Sequence, residues 1–121
     1  MSIAHGEVLG DWEDKLTQYH FTYRRAESEY MKTRTPDNRQ KYHHWKAICN
    51  AFTLTLGILR ESIVEAILLE GDPISFFRDR LVPQKPTLDS MLLNAGPATQ
   101  QKFNEQCEQL FNDLETYGGR I

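Results

Sequence analysis

Residues 32–46 read KTRTPDNRQKYHHWK, a run of Lys and Arg around Pro36 that closes on two adjacent histidines and a tryptophan. Thr35 followed by Pro36 is a helix N-cap followed by the residue best tolerated at the first helical position. One helix should therefore end, and another begin, between residues 33 and 36. Working outward in both directions, apolar and aromatic residues recur at alternating spacings of three and four. Before the turn they are Leu9, Trp12, Leu16, Tyr19, Tyr23, Ala26 and Tyr30; after it Tyr42, Trp45, Cys49, Phe52, Leu56, Leu59, Ile63 and Ala66. Such spacing marks the seam of helices packed side by side. Folding one seam back on the other gives the layers 30/42, 26/45, 23/49, 19/52, 16/56, 12/59 and 9/63, whose residue numbers add to 71 or 72 throughout. The seams thus share one antiparallel register, and the spacing predicts a long helical hairpin, about 7–33 and 36–70. Because proline interrupts a helix without obliging it to end, the seams also fit one helix kinked at Pro36 within a dimer.

Strand-like alternation is nearly absent, so the fold class is all-α, one helical-bundle domain over residues 1–121. Asp72-Pro73 repeats the cap-then-proline signal and predicts a short helix over 73–81. Pro83 and Pro86 should break it, leaving Thr87 to cap a second short helix over 88–95. A last helix is expected over 98–117, with a stripe of Phe103, Cys107, Leu110, Leu114 and Tyr117, stopped by Gly118-Gly119. Two short helices would leave it starting at the base of the hairpin. Running from there toward the tip it would fall short, so that Tyr30, Tyr42 and Trp45 are either exposed or covered by something else.

The chain carries 14 Lys and Arg against 17 Asp and Glu, a net charge of −3. The cations are unevenly placed: residues 24–46 hold seven against three carboxylates, a basic zone in an acidic protein. That is less than the footprint of a dedicated DNA binder. With 40% apolar and 26% charged residues, the composition is that of an ordinary globular domain. No apolar run reaches the roughly 18–20 residues of a membrane helix, and the first residues lack the pattern of a signal peptide. Cys49 and Cys107, widely separated, suit buried thiols in a reducing, cytoplasmic setting.

Candidate sites follow from these patterns. The basic tip offers Arg24, Arg25, Tyr30, Arg34, Arg39, Lys41, Tyr42, His43 and His44 for a partner, either an acidic protein steered by the cations or a nucleic acid held by its phosphates. A second face of helix two, Ala47, Ala51, Thr55, Ile58 and Ser62, is small enough for another helix to approach closely; a second copy of the chain would make a homodimer there. Gly57 lies beside it, and close packing is the expected reason for a glycine that weakens the helix. Arg39-x4-His44 resembles the R-x4–6-H motif of HEPN-type ribonucleases, all-α domains of comparable size. That resemblance implies a histidine in acid/base chemistry on RNA, an arginine holding phosphate, and a site completed in a dimer. It covers these two residues, placed at the start of the second helix where the family carries them in a late one. His20, His43, His44 and the cysteines supply metal-ligand types, but in the hairpin register His20 and His44 are roughly 10 Å apart along the axis, so no metal or cofactor is expected. No phosphate loop or nucleophile motif occurs. The expected function is a non-enzymatic interaction protein (adaptor, inhibitor or assembly subunit, of a kind met in phage and mobile elements) acting through the tip or helix two; the alternative is a nucleic-acid binder using residues 24–46.

Overall fold

The computed structural model describes residues 3–118, and among these it is all-helical: α1 spans Ile3–Lys32, α2 Pro36–Leu69, α3 Pro73–Leu93 and α4 Pro97–Gly118. The Tyr117 side chain and Gly119 lie outside the described residues. No helix is long and apolar enough to cross a membrane.

The turn forms where its chemistry puts it. Thr35 is extended (φ −88°, ψ 157°), its hydroxyl accepts from the Asn38 amide at 3.2 Å, and Pro36 opens α2. At the other end of α2, Glu70 takes the left-handed conformation (φ 53°) that reverses the chain, and its amide is held by the Ala66 carbonyl. Asp72 then caps α3, accepting from the Ile74 amide at 3.2 Å and the Ser75 hydroxyl at 2.9 Å.

α1 and α2 are antiparallel in the register their seams require. Tyr30 stacks on Tyr42 at 5.6 Å, Tyr19 meets Phe52 at 5.9 Å, and Glu13 pairs with Arg60 at 2.8 Å farther down. The polar ends of two seam aromatics are satisfied from α4: the Trp12 indole N–H donates to Asp113 and the Tyr19 hydroxyl to Gln106, each at 2.9 Å.

α3 departs from expectation. Residues 73–93 form one helix with Pro83 and Pro86 inside it, where the prolines should have separated two short ones. Each proline deprives the carbonyl four residues earlier of its donor. Those carbonyls belong to Asp79 and Val82, both exposed, where water can replace the bond. Meanwhile Phe77 on one side of the prolines and Leu88 and Leu92 on the other are buried in one core, with Leu81 packed against it. A seam that continues across the interruption outweighs the local cost.

The direction of α4 changes as a consequence. About 30 Å long, α3 climbs from the base of the hairpin back toward its tip and delivers α4 there. Gln40 near the tip donates to the Ala95 carbonyl at 2.8 Å, and α4 then descends: Phe103 packs on Phe52, Phe111 on Phe77, and Asp113 reaches Trp12. The bundle is therefore up-down-up-down, and α4 runs from tip to base, opposite to the expected direction.

The small-residue face of α2 is also reassigned. Ala47, Ala51, Thr55, Ile58 and Ser62 are all buried within the chain itself, packed under its own helices, and a second copy has no access to them. Thr55 and Ser62 turn their hydroxyls onto the Ala51 and Ile58 carbonyls, at 2.8 and 2.7 Å, so they add no polar demand to the core. Gly57 is not a close-packing glycine: a Cβ there would meet no atom within 4 Å.

Candidate functional site

The hairpin tip projects past the level at which α3 hands over to α4, and its aromatic residues are organised by their own stacking. Tyr42 lies 5.6 Å from Tyr30 and 5.8 Å from Tyr23, each pair tilted by only 18°. Residues seven apart on a helix rise about 10.5 Å, so Tyr23 and Tyr30 flank Tyr42 as rungs of a ladder. Cations cover the outer rungs: Arg24 sits 5.4 Å from the Tyr23 ring and Arg34 5.4 Å from the Tyr30 ring, with Lys46 5.6 Å from Tyr42. Arg24 is also paired with Glu27 at 3.0 Å, and the Tyr23 hydroxyl donates to the same carboxylate. Burial, Glu27 and Tyr42 together push the Tyr23 hydroxyl above its ordinary pKa, so it stays a donor.

Beside the ladder opens a cleft of about 770 Å³. α1 contributes Tyr30, the turn contributes Arg34, Thr35 and Pro36, and the first turns of α2 contribute Arg39, Gln40 and His43. The fourth wall is Asn94, at the end of α3, held close by the bond from Gln40 to Ala95. Four of the residues expected to bind a partner, Tyr30, Arg34, Arg39 and His43, thus share one concavity. Arg25 and Lys41 are exposed outside its lining. Among the described residues Arg25, Arg34, Arg39 and Lys41 make no ion pair.

His44 faces elsewhere. Its Nδ1 lies 2.6 Å from the Thr99 hydroxyl of α4, and its ring meets Trp45 edge-on at 5.0 Å. Burial, and then the charge of Lys102, hold its pKa below the ordinary imidazole value. Positions five apart on a helix point about 140° apart, and here Arg39 lines the tip cleft while His44 secures α4. The Arg39/His44 pair is not assembled into one site.

The thiols are inert by environment. Burial pushes Cys49 up to about 11 and Cys107 up to about 12, which leaves both protonated near neutral pH. Among the described residues, no three His, Cys, Asp or Glu side chains come together as a metal site.

A second surface escaped the reading of the sequence. At the base end of α2, Val64, Ile67, Leu68 and Leu69 are exposed, Leu68 at 76% and Val64 at 51%. Val64, Leu68 and Leu69 line a shallow groove of about 470 Å³ with Arg60, Glu61, Glu65 and Arg80. The signal was present in IVEAILL (63–69), where the seam needs only Ile63 and Ala66; the remaining apolar side chains have nowhere to go but outward.

Compared with protein-family models, with curated proteins and with solved structures, the chain matches none.

Proposed function

We propose that this chain is a non-enzymatic protein–protein interaction module, acting in the cytoplasm, whose main contact is the base end of α2. The observation that carries this is the exposure of Val64, Ile67, Leu68 and Leu69 on neighbouring positions of one helix. Contiguous apolar surface rimmed by charge is uncommon on a monomer and marks interaction sites. Arg60 and Arg80 at its edge are already neutralised, by Glu13 and by Glu61 with Glu65. Binding there would proceed by apolar burial and tolerate salt. High-pKa, unpaired thiols suit the reducing compartment. The ribonuclease variant loses its support with the separation of Arg39 from His44. The broader nucleic-acid reading loses its stacking surfaces, since the ladder tyrosines are covered by one another and by arginines.

The test uses the full chain and its Val64→Glu/Leu68→Glu variant, both side chains being exposed and the fold expected to survive. A photo-crosslinking residue at Leu68 should give protein adducts in expressing cells, and the double variant should lose them. Light scattering over a range of concentrations tells whether the occupant is a second copy or a different protein. Adducts at Leu68 no more abundant than at exposed, polar Gln100 would remove the proposal.

A further inference from the structure

The tip cleft supports a separate inference, independent of whether the base patch finds a partner. We infer that the tip cleft binds acidic side chains of an extended peptide segment on a partner protein. Arg34 enters from the turn and Arg39 from the first turn of α2, so two guanidinium groups share one concavity and neither has a carboxylate. Across the bundle Arg60, Arg78 and Arg80 are each matched to a carboxylate. Two unmatched like charges held together repel, and a carboxylate that accepts both N–H groups of an arginine fork relieves the repulsion while adding charge-assisted bonds.

The rest of the lining fits a peptide. Asn94 offers an amide donor and an acceptor side by side, the pair that a peptide unit presents in return. Gln40 spends its N–H on Ala95, which anchors that wall and leaves its own carbonyl as an acceptor. Three elements, α1, the turn with α2, and the end of α3, converge on the cleft, so its shape depends on the folded bundle. A nucleic acid would find phosphate contacts here but no open aromatic face: Tyr42 is sandwiched, and Tyr30 is shared between Tyr42 and Arg34. The charge and hydrogen-bonding groups therefore favour an acidic peptide.

Fluorescence anisotropy with labelled hexaglutamate, hexalysine and a single-stranded oligouridylate tests this on the full chain, at about 50 and about 300 mM salt. Hexaglutamate should bind at the lower salt and hexalysine should not. Arg34→Ala/Arg39→Ala should weaken hexaglutamate binding by about tenfold or more, with the unfolding midpoint unchanged because both side chains are exposed. Arg25→Ala/Lys41→Ala, cations of the same tip outside the cleft, should weaken it by no more than about threefold. Absence of hexaglutamate binding would overturn the inference. So would equal losses in the two double variants, or tighter binding of oligouridylate through the same arginines. Val64→Glu/Leu68→Glu should bind hexaglutamate as the unaltered chain does, so the fate of the tip is read independently of the fate of the base.

Discussion

The two ends of this bundle solve the same problem in opposite ways. At the base, Arg60, Arg78 and Arg80 pair with Glu13, Glu115 and Glu61 at 2.8, 2.7 and 3.0 Å, while apolar side chains of α2 are left in water. At the tip, aromatic side chains cover one another, while Arg25, Arg34, Arg39 and Lys41 are left without carboxylates. One end has settled its charge and not its apolar surface; the other the reverse. An interface at the base should persist in salt and one at the tip should fade with it. The difference also bears on stability. The base half is anchored by residues packed from several helices, such as Leu59, whereas the tip is a two-helix projection held by a stack of rings.

The sharpest test of that contrast is truncation at matched depth in the hairpin. Leu59→Ala, at a fully buried position, should cost about 2–5 kcal/mol in denaturant unfolding. Tyr42→Ala removes the middle rung of a half-buried ladder, where each aromatic pair adds about 0.5–1.5 kcal/mol beyond burial, and should cost about 1–3 kcal/mol. Amide exchange should quicken throughout the molecule in the first variant and mainly around residues 28–42 in the second. Equal costs would mean that the tip is part of the cooperative core and that the contrast fails.

Acid should reach both ends, each through one buried histidine. His44 lies where α4 starts near the tip, and His5 lies near the base, close to Asp72 and to the backbone of Leu114. Both are held below the ordinary value of 6.5, chiefly by burial. A histidine with a depressed folded pKa binds its proton more readily in the unfolded chain. Stability should therefore be constant above about pH 6.5 and fall as the pH drops below the unfolded value, until the folded value is passed. His44→Gln should flatten that slope without abolishing it, because His5 still contributes. A variant whose slope from pH 5 to 7 equals that of the unaltered chain would show that His44 carries none of it.

How much of this was legible in the sequence depended on whether a feature was set by one helix or by several. The hairpin register was legible because two seams had to agree over many layers, and the Tyr30–Tyr42 and Tyr19–Phe52 contacts follow from it. α3 was misread because Pro83 and Pro86 are local signals, while Phe77, Leu81, Leu88 and Leu92, spaced four, seven and four apart, are a seam that only matters once something packs on it. That single error reversed α4 and left the covering of Trp45 and the small-residue face of α2 unresolved. The cations of the tip cleft could be named in advance, but its fourth wall could not. Asn94 arrives there only because α3 runs unbroken past two prolines.

The smallest expected effect concerns Gly57, which the sequence suggested as a close-packing position. It lines a shallow groove with Asn50, Thr53, Leu54 and Met91 midway between the two ends, and a Cβ added there would meet no atom within 4 Å. With no steric reason for glycine, only its helix-weakening entropy remains, so Gly57→Ala should stabilise the chain by about 0.5–1 kcal/mol. If α2 transmits nothing between base and tip, that gain should leave hexaglutamate binding at the cleft and cross-linking at Leu68 untouched. A stiffer helix that changed either would instead mean that the middle of α2 flexes when one end is occupied, and that the two ends are coupled through Gly57.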